Sequence, residues 1–272
     1  MTQQSRFAVI LVLPLAIFVA AFFLLPMAQL AMRSLFSGDG TLTYAAILAT
    51  PRYLATLGAT LGVAALTTIL TLVLATVVAL FLARTRFPGR GFVIALLTFP
   101  LAFPGVVVGF LVILLAGRQG LVGTVSQAVT GEKIVFAYSA AGLLVGYLYF
   151  SIPRVLLTVM AAAEKLDPAL EEAARSLGAG PWRVLAHIVL PALGPALTAS
   201  GALCFATAMG AFGTAFTLAT NIDVLPMLIY TEFTLNANVA VASALSILLG
   251  AITWLALTIA RSASGSGVAA AG

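Results

Sequence analysis

The stretch EKLDPALEEAARSLGAGPWRVLAHIVLP, residues 164–191, decides how the rest of the chain is read. It lies between long apolar runs, yet carries six charges between Glu164 and Arg175: Glu164, Lys165, Asp167, Glu171, Glu172 and Arg175. Asp167 is a good helix N-cap, and Pro168 suits the first helical position, where a missing N–H costs nothing. Glu171 and Glu172 fall in the first turn, where the helix dipole favours negative charge. Arg175 follows Glu171 by four residues, with the acid first, which is the better order. Gly178 can take the positive φ that ends a helix. The spacing predicts a helix over 168–177, about ten residues and ~15 Å long. Ala169, Leu170, Ala173, Ala174 and Leu177 form its apolar stripe. Beyond the turn at 178–180, Pro181 can start a second helix through Trp182, Val184 and Ile188, with Pro191 and Pro195 kinking or resetting it. A push on the first helix could thus reach the second. On helix rules alone, an amphipathic connector at the membrane surface and a docking site for another protein stand about equal. The small Ala173 and Ala174 and the tight glycine turn favour docking.

The flanking runs make the chain a membrane protein. Of its 272 residues, 62% are hydrophobic and only 8% charged, with a mean hydropathy of +1.17. A soluble domain carries about 25% charged residues, so most of this surface has to face lipid. A crossing helix needs about 20 apolar residues. Six segments qualify: 7–31, 57–83, 91–116, 134–160, 188–216 and 239–260. Their continuous apolar character, without alternation, excludes β-barrel strands. An all-α polytopic membrane protein with six transmembrane helices follows, because lipid offers the backbone no other hydrogen-bonding partner. The first run is too long for a signal-peptide core of about 7–15 residues and reads as a retained span. The transmembrane domain is expected over 1–261, with a small-residue, disordered tail at 262–272.

The net charge of +5 and pI near 9.8 belong to loops beside the membrane, so orientation is a better reading than nucleic-acid binding. With the N-terminus in the cytoplasm, nine basic residues lie on or near that side: Arg6, Arg84, Arg86, Arg90, Arg154, Lys165, Arg175, Arg183 and Arg261. Arg33, Arg52, Arg118 and Lys133, four in all, lie outside. Both termini are therefore expected inside. The outer connections, 32–56, 117–133 and 217–238, are too short for a receptor domain, so a substrate-capturing protein has to be another chain.

The pattern Glu172-Ala173-Ala174, three residues, Gly178, nine residues, then Ile188-x-Leu190-Pro191 resembles the EAA signature of ABC importer permeases at every fixed position. The layout of six spans, with this loop between the fourth and fifth, is similar along the whole chain. The resemblance implies the type I ABC importer permease fold, with a cytoplasmic coupling helix seated in a groove of an ATPase subunit. It implies docking roles for Asp167, Leu170, Glu171, Glu172, Ala173, Ala174, Arg175, Leu177, Gly178, Ile188, Leu190 and Pro191. It also implies the partners: two cytoplasmic ATPase subunits that bind the ATP and Mg, a second and different permease, and an extracytoplasmic solute-binding protein. The setting is a bacterial inner membrane, and the chain itself is non-catalytic with no bound cofactor. Residues 13–36 and 99–123 look like permeases of the spermidine/putrescine, ferric-iron, phosphonate and sulfate/molybdate group. Residues 212–233 look closer to the polyamine, iron and phosphonate branch, so the expected cargo is a polyamine, with ferric iron or phosphonate next.

Other chemistries find little footing. There is no GxxxxGK[ST] phosphate loop, no HExxH and no GxSxG. The single histidine, His187, reads as an interfacial polar residue, with pH sensing as the lesser alternative. The single cysteine, Cys204, excludes a disulfide within the chain. An ion-coupled secondary transporter, the competing class, usually needs carboxylates inside the membrane. Here Asp39, Glu132, Glu164, Asp167, Glu171, Glu172, Asp223 and Glu232 are all expected outside the spans. The resemblance implies that spans three, four and five line the pathway, which makes Pro104 in span three and Thr207, Met209, Phe212 and Thr214 in span five candidate pathway residues. Asp223 and Glu232, in the loop that follows, could meet ammonium groups of a polyamine or remain solvated charges. Thr and Gly in spans are more often packing residues than substrate contacts.

Overall fold

A computed structural model describes residues 12–36, 40–218 and 223–264. Helices dominate, and the sole β pairing among the described residues is an isolated bridge between Phe36 and Leu42. In chain order the helices are α1 (Val12–Arg33), α2 (Thr43–Ala49), α3 (Pro51–Arg84), α4 (Arg90–Thr98), α5 (Gly105–Ala116), α6 (Leu121–Thr130), α7 (Ala140–Ala163), α8 (Pro168–Ser176), α9 (Pro181–Met209), α10 (Phe212–Leu218), α11 (Leu225–Tyr230) and α12 (Val239–Ser264). Six helical segments are long and apolar enough to cross a membrane: α1, α3, α5 with α6, α7, α9 and α12. The six-span expectation holds, with several boundaries moved.

The third span, expected over 91–116, is broken. α4 tightens into a 3₁₀ turn at Phe99–Ala102, Phe103 is extended (φ −100°, ψ 134°), and a new helix starts after Pro104. The residue before a proline is pushed out of helical geometry, and Pro104 then suits an N-terminus. The fourth span starts at Ala140 rather than 134. Residues just before it are non-helical, and the Phe136 and Ala137 N–H groups both donate to the Ala116 carbonyl at 3.1 Å. Ser139 caps the helix by accepting from the Gly142 N–H. The fifth span starts earlier, at Pro181, and stops at Met209; Gly210 interrupts it before α10. The end of α12 reaches Ser264. The expected tail at 262–272 is thus helical over its first residues, and the remainder lies outside the described residues.

The residues group into two compact units, where the sequence reading expects a single domain over 1–261: Met1–Ala55 with Leu228–Gly250, and Thr56–Met227 with Ala251–Gly272. In the first unit α1 buries none of its candidate span. The turn after it is held by Ser34, whose hydroxyl donates to the Ala31 carbonyl at 2.7 Å and lies 2.9 Å from the Tyr44 hydroxyl.

The second unit has two centres of packing. One joins Leu82, Val155, Val159, Val184, Val189, Leu193 and Cys204, drawn from α3, α7 and α9. The other joins α5, α7 and α10, and glycines allow its close approach. A Cβ on Gly105 would lie 3.0 Å from Thr214 Oγ1, on Gly146 2.7 Å from Thr214 Cγ2, and on Gly213 3.0 Å from the Val106 nitrogen; on Gly109 it would overlap Thr217. Small residues let helices meet at backbone distance where no hydrophobic force drives them together. Two side chains seal the junction. The Thr214 hydroxyl donates to the Gly105 carbonyl at 3.0 Å, and the Tyr147 hydroxyl donates to the Ala211 carbonyl at 3.0 Å.

Replacing Gly109 by Ala is expected to cost about 1–3 kcal/mol through overpacking, read as a lower midpoint of thermal unfolding in detergent. Gly62→Ala, within α3 where no atom lies within 4 Å of the new Cβ, serves as the control and loses nothing.

Candidate functional site: the docking segment between α7 and α9

Residues 164–191 fold as the sequence pattern predicts. Asp167 Oδ1 accepts from the Ala169 N–H at 3.0 Å, and Pro168 opens α8. The helix closes at Ser176, one residue short of the expected end, with Leu177 as C-cap and Gly178 at φ +84°. The Gly178 N–H donates to the Arg175 carbonyl at 2.9 Å, and the Ala179 N–H to the Ala174 carbonyl at 3.0 Å. This paired closure is the Schellman arrangement, which satisfies the last carbonyls and turns the chain sharply. Pro181 then starts α9. Between Leu185 and Val189 the helix widens to π geometry, where the Leu190 N–H reaches back to the Leu185 carbonyl. Pro191 supplies the reason, since it cannot donate to His187 and its ring crowds that carbonyl. The predicted kink is therefore a π turn placed before the proline. His187 Nδ1 lies 3.1 Å from the Arg183 carbonyl on its own helix.

Two ion pairs escaped the sequence reading. Arg84, at the end of α3, bonds Glu171, and Arg90, at the start of α4, bonds Glu164 at 2.7 Å. Arg90 also donates through Nε to the Leu82 carbonyl at 2.7 Å. The sequence assigned these arginines to membrane orientation and Glu171 to the helix dipole; in the fold Arg84 also ties α8 to the end of α3, and Arg90 ties the C-terminal end of α7 to the start of α4. Glu171 keeps its local partner too, with Arg175 at 3.5 Å. Exposed pairs contribute only about 0–1 kcal/mol each, so they set orientation more than stability. No local spacing could have announced them, because the partners are far apart in sequence.

The faces of the segment are now distinct. Leu166, Ala174 and Ala179 are half-buried against the core, while Val184 and Val189 are fully inside it. Leu170, Glu172, Ala173, Leu177 and Gly178 point outward, with Leu177 90% exposed. Trp182, not among the expected docking residues, is 80% exposed beside them. Its signal was available: a large aromatic next to a Pro-started helix in a polar loop. Ile188 is half-buried, and Leu190 and Pro191 lie at the exposed margin.

The expected pathway residues separate. Met209 and Thr214 are fully buried in helix packing within this chain. Thr207 is half-buried with its hydroxyl on its own helix, donating to the Leu203 and Cys204 carbonyls at 2.9 Å. Pro104 and Asp223 are exposed, and Phe212 is partly exposed with its ring 5.4 Å from Phe216. Glu232 is not a solvated loop charge. It sits in a π-helical turn, is 4% exposed, and accepts from the Tyr53 hydroxyl at 3.2 Å.

The sequence model of the family described as "Binding-protein-dependent transport system inner membrane component" matches residues 75–264, a span that includes the whole docking segment. The chain belongs to this family of ABC importer permeases. Relatives agree. The permease is 34% identical over 187 residues to the molybdenum transport system permease protein ModB of Escherichia coli (strain K12), covering 67% of this chain and 81% of the relative. It is 33% identical over 234 residues to the sulfate transport system permease protein CysT of the same organism, covering 84% and 83%. Its fold is similar to a chain of a bacterial alginate ABC transporter crystallised with an alginate-bound periplasmic protein, at a TM-score of 0.81 with 18% identity, covering 97% of this chain and 95% of that one. Family and fold together make the type I importer permease architecture and the inner-membrane setting findings.

Replacing Asp167 by Ala removes the cap of α8 and is expected to cost about 1 kcal/mol. Amide hydrogen exchange over 169–172 should quicken by about fivefold, the equilibrium factor for that energy, while exchange within α7 stays unchanged.

Proposed function

We propose that this permease forms half of the translocation pathway of an ATP-driven importer for a tetrahedral oxyanion of the sulfate and molybdate kind. The docking segment receives the ATPase. The observation that carries the coupling role is the exposed surface of Leu170, Leu177 and Trp182 on a capped, sharply turned segment whose other face is locked into the helix core. A large exposed apolar group on an otherwise charged loop is the mark of a partner site. Apart from their immediate chain neighbours, Gly178 and Gly180 have no atom of this chain within 4 Å of a Cβ position, which leaves the space in front of them open to another protein.

The remaining parts of the assembly follow from this reading. Two ATPase subunits bind ATP and Mg, and the permease itself has no catalytic role and no cofactor. A second permease completes the pathway, and a solute-binding protein delivers cargo from outside. Both termini and the 164–191 segment lie in the cytoplasm, as the excess of Lys and Arg on that side favours.

The cargo reading departs from the polyamine expected from residues 212–233. The relatives at 33–34% identity are permeases for molybdenum and sulfate. Glu232, once a candidate for an ammonium group, is buried and already accepts a hydrogen bond from Tyr53. Ferric iron and phosphonate keep only the looser sequence likeness.

The test is uptake by the full transporter, reconstituted with its ATPase and binding protein. Labelled sulfate or molybdate should enter on ATP addition, and putrescine should not; putrescine uptake alone would reverse the cargo reading. Gly178→Asp and Glu172→Lys should each lower uptake at least about tenfold, on the scale of a lost charge-assisted contact, while the permease still inserts and ATP hydrolysis continues. Unchanged uptake in both variants would remove the docking role.

A further inference from the structure

Arg154 lies in α7, a 24-residue helix about 36 Å long. The sequence reading counts it among charges at the membrane edge. The side chain runs the other way. Its guanidinium carbon sits 5.7 Å from the centre of the Phe150 ring, one turn back toward the helix N-terminus and so toward the helix middle. That lean follows the tilt toward the N-terminus that helical side chains share, and it carries the guanidinium away from the nearer end at Ala163. A charge held at that depth is costly against lipid and belongs at an interior, polar face of an assembly.

The surroundings identify what it faces. Arg154 lines a groove between α7 and α9 with Ser151, Thr158, Ser200, Cys204 and Thr207. No carboxylate lines the groove, and among the described residues Arg154 has no ion-pair partner. Three hydroxyls already donate to backbone carbonyls: Thr158 to Arg154 at 2.9 Å, Ser200 to Ala196 at 2.7 Å, and Thr207 to Leu203 at 2.9 Å. Ser151 differs. It is 2% exposed, and its Oγ has no hydrogen-bond partner. A buried hydroxyl without a partner is costly and calls for an acceptor. The groove therefore offers a guanidinium fork and no negative charge, with the unpartnered Ser151 hydroxyl buried in its wall. An oxyanion supplies the missing acceptors.

The geometry points to this groove as an intramembrane oxyanion subsite, in which Arg154 holds the transported dianion on its way through the permease and a turn of the Ser151 side chain out of the wall adds a second donor. The assignment rests on the oxyanion reading above and adds the residues that would receive the cargo.

The test uses the complete transporter in phosphatidylcholine vesicles, with and without phosphatidylglycerol, measuring labelled sulfate and molybdate uptake beside binding-protein-stimulated ATP hydrolysis. Arg154→Gln should lower uptake about tenfold, the loss expected for a charge-assisted contact, in both lipids. ATP hydrolysis should stay within about twofold of wild type by the same reasoning, since the docking segment is untouched. Arg154→Lys should recover part of the uptake, and Ser151→Ala should lower it about threefold, as for one neutral hydrogen bond. Uptake by Arg154→Gln equal to wild type overturns the subsite and leaves the oxyanion reading standing. Hydrolysis and uptake falling together overturn it in favour of a packing role. A defect confined to vesicles with phosphatidylglycerol assigns the arginine to a lipid phosphate instead. Failure of the wild-type transporter to carry either anion removes the oxyanion reading itself, and the subsite with it.

Discussion

Inside a bilayer a chain can leave helical geometry only where other protein groups take up the freed backbone hydrogen bonds. The interior of this permease is organised around that demand. α5 ends at Ala116, whose carbonyl receives the N–H groups of Phe136 and Ala137. The start of α5 is clamped to α10 by the Thr214 hydroxyl on the Gly105 carbonyl, and the break after α9 is secured by Tyr147 on the Ala211 carbonyl. Each closure needs two helices nearly in backbone contact, and Gly105, Gly109, Gly146 and Gly213 allow it. Broken helices, glycines and cross-helix hydroxyls are therefore one feature seen from three sides.

The docking segment obeys the same accounting at the membrane edge. Its helix is closed at both ends by its own residues, Asp167 in front and the Gly178–Ala179 turn behind. Its inward face is held by half-buried alanines, and Val184 and Val189 carry the chain directly into the core shared with α3 and α7. A load applied to Leu177 or Trp182 has little slack to absorb it before it reaches α9. The Arg84–Glu171 pair holds α8 against the end of α3, and the Arg90–Glu164 pair holds the end of α7, just before α8, against the start of α4.

Much of this was legible in the sequence. The length of the apolar runs set the number of spans, and the Asp-Pro start and Gly stop placed α8 to within a residue. These signals are local, carried by side chains that act on their own backbone. The third span was misplaced because Pro100 and Pro104 sit in a run whose hydropathy never falters; polarity marks where a membrane is, not where a helix breaks. The contact of Thr214 with the Gly105 carbonyl was hidden for a related reason: a Thr in a span looks alike whether it lines a channel or bonds a neighbouring carbonyl. Glu232 with Tyr53, and Arg84 with Glu171, are meetings of distant residues that no spacing rule can supply.

The central claim is that the outward face of residues 164–191 is where the motor subunit sits. With Cys204, the single native cysteine, replaced by Ala, Trp182→Cys offers one exposed thiol on that face. Labelling that thiol with a maleimide–benzophenone reagent and irradiating the intact transporter in membranes, so that the ketone inserts into a C–H bond of whatever protein lies against it, should join the permease to the ATPase subunit, and the yield should change when ATP is added. Linkage to the solute-binding protein instead, or no linkage to the ATPase in a transporter that still imports, would contradict it.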